Sequence, residues 1–203
     1  ACIAGGMMAA NRLIRDKLSL ETIIKLATEM EGHPDNVMPA LVGGFTISMM
    51  SEKCIVYKKY MLPKEIQFVV GIPHYQLKTE DARKVVPQKV DIKDAVYNIG
   101  CAALMASSLA TGDLEGIGLF FRDRLHQPYR SKLVPGLNDI IEGALGKGAL
   151  GCFLSGAGPS VICLSNREKA DEIGAFMLEV FRKHGIQAEY QILTACEDGV
   201  KFI

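Results

Sequence analysis

The chain of 203 residues contains no tryptophan, and aromatic residues make up only 7% of it. Single-stranded nucleic-acid binders need aromatic faces for stacking, so that class is a poor match. A charge imbalance is lacking too. The 23 Lys plus Arg offset 23 Asp plus Glu, which leaves no electrostatic footprint for nucleic acid or an acidic membrane surface. Nor is there an unbroken apolar span. The longest uncharged run, Gly148 to Asn166, could cross a bilayer by length, but four glycines and Pro159 interrupt it, and it reads as strand, loop, strand. The six cysteines (Cys2, Cys54, Cys101, Cys152, Cys163, Cys196) include no C-x-x-C pair, and four lie in apolar runs. They predict buried, reduced thiols in a cytosolic, cytoplasmic protein. No signal peptide, repeat or low-complexity tract is present. No G-x-S-x-G elbow supports a serine hydrolase, and His33 has no second His or Cys at zinc-ligand spacing.

What is there is an ordinary globular composition, 49% hydrophobic and 23% charged, enough for one large domain or two small ones. Residues 1–15 read as a helix of small residues that starts without a Ser, Thr, Asp or Asn cap. This start in mid-helix predicts a preceding segment. Ser19, with Glu21 and Thr22 close behind, starts a second helix whose inner face is Leu20, Ile23, Ile24 and Ala27. "GGFTISMM" and "CIVYKKY" form a hairpin around "SEK". "IQFVVGIP" is a buried strand and "KTEDARKVVP" a polar loop with a short helix. Ile92 to Thr111 is a long helix with apolar positions Ala95, Ile99, Ala102, Ala103 and Ala106, closed by Gly112. "DRLHQPYRSKLVPG" is a polar, basic loop. After a helix in "LNDIIEGALGKGA" come two strands around "SGAGPS", an amphipathic helix closed by Gly185, and terminal strands "AEYQILTAC" and "GVKFI". Helices against an antiparallel sheet, hence α+β, is the expected class.

Four stretches carry candidate chemistry, and each also has a plain structural reading. "EGHPDN" sets His33, Asp35 and Asn36 around Pro34, with Glu29 and Glu31 as carboxylates suited to Mg²⁺ or simply to an exposed helix end. "LSGAGPSV" is either a tight turn or a loop whose amides face an anion. Thr79 and Arg83 share a helical face or form a solvated helix start. Arg130, beside His126 and Pro128, is either solvated or, with Arg83, one arm of a carboxylate or phosphate clamp.

Taken in order, "EGHPDNVMPALVGG", "TEDARKVVP", "DRLHQPYRSKLVPG" and "FLSGAGPSVICL" resemble the homoserine kinases of the GHMP small-molecule kinase superfamily, over essentially the whole chain. The resemblance implies a GHMP kinase-like fold. Residues 1–60 would be the remainder of an S5-like α+β N-terminal domain, and 61–203 a ferredoxin-like C-terminal domain, with ATP and substrate meeting between them. It also implies that the phosphate loop, roughly P-x-x-x-G-L-G-S-S-A in the family, precedes Ala1, so that the chain is expected to be an inactive piece of an ATP- and Mg²⁺-dependent kinase. Asn36 would sit by the reacting hydroxyl, where mevalonate-kinase-like relatives have an aspartate base. His33 and Asp35 would shape the pocket, with Asp35 toward the substrate ammonium. Glu31, or second Glu29, would hold Mg²⁺. Arg83 and Arg130 would clamp the α-carboxylate of L-homoserine and Thr79 would line the site. Gly156, Ala157 and Gly158 would close near substrate and nucleotide phosphate. The product would be O-phospho-L-homoserine for threonine biosynthesis, with no nucleic-acid or membrane partner; a homodimer is a family expectation. Another kinase of the superfamily, or a non-catalytic binding piece, stands as the alternative.

Overall fold

The computed structural model describes residues 1–52 and 54–202, which divide into two compact units. One comprises Ala1–Leu62 with Ala195–Ile203, the other Pro63–Thr194.

The first unit packs three helices, α1 (Cys2–Leu13), α2 (Leu20–Glu31) and α3 (Val37–Val42), with a hairpin of β1 (Phe45–Met50) and β2 (Ile55–Tyr60). Its core is Ala4, Ile23, Ile24, Ala27, Val37, Met38 and Leu41. Ser19 caps α2 as expected, its Oγ accepting from the Thr22 amide at 3.2 Å, which satisfies one of the helix's free N–H groups. Leu20 departs from expectation: it is exposed, and Thr28 takes the fourth inward position. Asn11 does what its polar character did not announce. Buried at the end of α1, it donates to the Leu18 carbonyl and accepts from the Leu18 amide, closing the α1–α2 loop with two bonds.

The hairpin has the expected register, Phe45 opposite Tyr60 and Met50 opposite Ile55; Lys53 of "SEK" lies outside the described residues. Residues 195–202 run back over this unit. The Gly44 amide donates to Cys196 O, the Val200 amide to Ala40 O, and Lys59 Nζ bridges the carbonyls of Val42 and Glu197. A side chain on Gly43 would collide with the Asp198 backbone, so the glycine pair also admits this return. "GVKFI" is therefore not a strand over its described residues: its amides and carbonyls serve α3 and the α3–β1 turn instead of a sheet. The second unit accordingly stops at Thr194, where the sequence reading carried it to 203.

The second unit holds a four-stranded antiparallel sheet in the order β4-β5-β3-β6, built from β3 (Gln67–Pro73), β4 (Gly151–Leu154), β5 (Val161–Ser165) and β6 (Ala188–Leu193). With α7 (Leu137–Gly146) before β4 and α8 (Ala170–Lys183) before β6, the chain follows the β-α-β-β-α-β path of a ferredoxin-like fold. Period decides which faces meet. Val69 and Gly71 of β3, and Cys152 and Leu154 of β4, alternate toward one side. There Ile140, Ile173, Met177 and Phe181 lie buried on the inner stripes of α7 and α8. On the other side Phe153 of β4 stacks on Phe121, ring centroids 5.0 Å apart.

Helix α4 (Thr79–Lys84) and helix α5 (Ile92–Thr111), capped by Gly112, lie where the sequence placed them. The expected inner face of α5 does not. Ile99 is 69% exposed, Ala102 and Ala103 are exposed, and the residue fully buried is Leu109. The "DRLHQPYR" loop contains a four-residue helix, α6 (Gln127–Arg130), followed by a 3-10 turn at Ser131–Leu133. The cysteine expectation holds for Cys152 and Cys163, which are buried. Cys2, Cys54 and Cys196 are exposed, though all six are free thiols. Apolar neighbours in sequence did not bury them, because helix ends and hairpin edges face outward. Among the described residues no helix is long and apolar enough to cross a membrane.

Candidate active site

In the first unit the turn after α2 separates apolar anchors from polar groups. Gly32 ends α2 in the left-handed region (φ 88°), which L side chains adopt at a cost. Pro34, Val37 and Met38 then point inward and are buried, and the Met38 amide closes the turn on Pro34 O at 2.8 Å. Asp35 and Asn36 are left exposed and His33 half-buried. Asn36 starts α3 but makes no capping bond with its side chain, so its carboxamide is not committed to the helix. His33 Nδ1 lies 3.9 Å from Asp35 Oδ2 and, although buried, has no hydrogen-bond partner among the described residues. A buried polar atom without a partner is costly, and one beside a polar turn is suited to a ligand.

Glu29 and Glu31 are both exposed at the end of α2. Two residues apart on a helix, they face different directions. Among the described residues no group of three His, Cys, Asp or Glu could hold a metal ion. The residues thus fit a Mg²⁺ held by one carboxylate and brought in with phosphate oxygens, and do not fit a protein-built cage.

In the second unit three of the expected residues are drawn together. Arg130 Nε donates to Ala82 O at 3.1 Å, and its Nη1 donates to Gly156 O at 2.9 Å. One guanidinium therefore ties the residue next to Arg83 to the glycine loop. Of its five N–H groups, two are used here, leaving three for an anion. Thr79 and Arg83 are exposed, one turn apart on α4. Tyr75 Oη donates to Leu133 O at 3.0 Å, fixing the approach to α4 against the 3-10 turn, and burial pushes its phenol above the ordinary range.

The loop between β4 and β5 closes on itself: the Ser155 amide donates to Ser160 O and the Gly158 amide to Ser155 O, both at 2.9 Å. Gly158 has φ 87°, and a Cβ there would press on Leu154 and Val134. The tight-turn reading is therefore correct of the backbone. Gly156 stays exposed with open space around it, so the turn leaves room for a ligand as well.

Sequence reasoning missed what holds these pieces. Asp123 accepts from the Leu125, His126 and Gln127 amides at 2.6–2.8 Å and from Asn98 Nδ2 at 2.7 Å. Burial pushes its carboxyl up, but the bonds from Gln127, Leu125 and Asn98 outweigh this and hold it below the usual carboxylate range. Gln127 donates to Phe121 O and accepts from the Leu154 amide at 2.8 Å. An aspartate shortly before Gln-Pro was the available signal. None of the expected site residues lines the cleft of about 420 Å³ bounded by His74, Leu178, Arg182, Ile186, Gln187 and Ala188.

Residues 1–44 match the GHMP kinases N terminal domain and residues 105–183 the GHMP kinases C terminal domain. A homoserine kinase of Aquifex aeolicus is 44% identical over 200 residues, covering 98% of this chain and 67% of that protein. The chain belongs to the GHMP kinase family. A homoserine kinase of Caldicellulosiruptor bescii is 50% identical over 164 residues, 81% of this chain and 53% of its own length. This GHMP kinase chain thus spans about half the length of that relative. The crystal structure of a homoserine kinase from Cytophaga hutchinsonii superposes with a TM-score of 0.91 at 32% identity, covering 98% of this chain and 65% of that one. The expected α+β GHMP kinase fold is the one observed.

Proposed function

We propose that the chain serves ATP-dependent, Mg²⁺-assisted phosphorylation of the side-chain hydroxyl of L-homoserine in the cytoplasm, giving O-phospho-L-homoserine. The observation that carries this reading within the molecule is the Arg130 guanidinium. It is held by Ala82 O next to Arg83 and by Gly156 O, with three N–H groups still free. An amino-acid alcohol has the carboxylate such a fork recognises; sugar alcohols do not. The names carried by the similar proteins support the same substrate.

The roles follow from chemistry. Arg83 and Arg130 bind the α-carboxylate, and Thr79 lines that surface. In the first unit Asp35 meets the ammonium and the unpaired Nδ1 of His33 takes a polar substrate group. Asn36 orients the hydroxyl. An amide cannot remove its proton, so the rate rests on positioning and charge stabilisation, which are the main levers for phosphoryl transfer. Glu31, or in second place Glu29, offers the carboxylate for Mg²⁺. The ion, when bound, neutralises charge on the phosphate oxygens. Gly156, Ala157 and Gly158 give a close-approach surface for substrate and phosphate.

The test uses the gene product that carries this sequence, with Mg²⁺ and ATP and one acceptor at a time: L-homoserine, L-serine, galactose or mevalonate. A new phosphomonoester resonance in ³¹P NMR with L-homoserine alone is expected. Transfer to galactose or mevalonate without transfer to L-homoserine would overturn the assignment.

A further inference from the structure

The geometry points to Asp123 as a positioning residue that fixes helix α6, and through Gln127 and Arg130 sets the glycine loop and the carboxylate clamp in one register. The inference rests on the kinase reading above for its consequence in catalysis, but its structural part stands on the hydrogen bonds alone.

Helix α6 has four residues, far too few to hold its own shape or direction. Its direction comes from the Asp123 carboxylate, 17% exposed. Oδ1 takes the Leu125 amide and Asn98 Nδ2, and Oδ2 takes the His126 and Gln127 amides. Both oxygens are doubly used. Asn98 is itself fixed, because its Oδ1 accepts from the Arg124 amide at 2.9 Å, so the carboxylate is keyed to the long helix α5. The charged groups nearby do not replace this network. His126 Nδ1 stands 3.6 Å off, while the Arg124 guanidinium is turned onto the Tyr97 ring and Asp94. The negative charge is thus met mainly by N–H dipoles, which are directional.

Two side chains leave α6 three residues apart, on one face. Gln127 receives the Leu154 amide at the end of β4, and Arg130 reaches Gly156 O and Ala82 O. A shift of α6 therefore moves the loop entry, the loop and the Arg130 arm together. Asparagine at 123 cannot substitute fully, since its NH₂ would face two N–H donors.

The experiment compares the gene product with its Asp123→Asn, Arg130→Met and double variants. Hydrogen exchange of the Leu154–Gly158 amides is expected to speed up in Asp123→Asn. The KM for L-homoserine is expected to rise about tenfold or more with a smaller change in kcat, and the double variant to be no worse than Arg130→Met alone, as for residues acting through one contact. KM for 3-aminopropan-1-ol, which lacks the carboxylate, should not follow. Unchanged exchange at Leu154–Gly158 would overturn the positioning. An Asp123→Asn penalty that adds in full to that of Arg130→Met, or falls on kcat with KM unmoved, would overturn the link to the clamp. An unsubstituted protein with no homoserine turnover would instead overturn the kinase reading, and the exchange result would still judge the structural part.

Discussion

Arg130 and Gly156 are joined by a 2.9 Å hydrogen bond from Nη1 to the loop carbonyl, while the same guanidinium holds Ala82 O through Nε. Arg130 is thus a strut as well as a candidate ligand for substrate, and Arg83 has the simpler position of an exposed arm on α4.

That difference separates the two arginines in kinetics. Arg83→Ala should raise KM for L-homoserine and leave KM for ATP nearly unchanged; loss of a charge-assisted contact costs about 2–5 kcal/mol. Arg130→Ala should raise both, because the glycine loop loses its tie. Steady-state kinetics with each substrate varied in turn checks this. Equal effects of the two variants on both constants would refute the distinction.

Asn36→Asp should be slower than the unsubstituted protein at neutral pH. The new carboxylate would stand near an anionic phosphate in a poorly solvated site, where repulsion is strong. Its relative activity should recover as pH falls toward the carboxylate range of about 4. Initial rates of phosphohomoserine formation between about pH 5 and 9 test this against the ordinary carboxylate range. A variant faster at neutral pH would mean that a base is useful here.

The second unit should lose stability in acid partly through Asp123. Its carboxyl is held below the usual range in the folded state. Its contribution is therefore fully present above the unfolded value, about 3.9, and disappears as pH falls through the lower folded value. Thermal melts at descending pH below about 5 should show a smaller acid-induced drop in Asp123→Asn, whose side chain does not titrate. Parallel curves for the two proteins would contradict this.

The sheet–helix core makes a plainer claim. Phe181 is wholly buried between α8 and the sheet, so Phe181→Ala should destabilise the second unit by about 3–5 kcal/mol. Denaturant unfolding measures it, and a loss near zero would mean that α8 does not pack as described.

These expectations show what patterns in the chain could and could not reveal. Ser19, the hairpin of β1 and β2, Gly112 and the stripes of α8 were legible because local rules dictate them: a cap, a period of two, a left-handed stop, a period near 3.6. The inner face of α5 was not. Ala95, Ala102, Ala103 and Ala106 make several faces equally apolar, and only tertiary packing selects Leu109. In the site, the exposed trio around Pro34 was legible because a proline-anchored turn has no other use for it. Asp123 and Gln127 were not, since their importance lies in the amides of Leu125 and Leu154, which no side-chain pattern advertises. The return of residues 195–202 was hidden for the same reason: it is held mostly by backbone groups.

The central claim is that a substrate carboxylate is recognised from Arg83 and Arg130, and its most direct measurement is a ratio. In the gene product carrying this chain, kcat/KM is measured for L-homoserine and for 3-aminopropan-1-ol, with and without Arg83→Ala. The unsubstituted protein should strongly prefer L-homoserine, and the substitution should collapse most of that preference while hardly altering the rate with the alcohol that lacks the carboxylate. A preference of the same size in both proteins would contradict the claim.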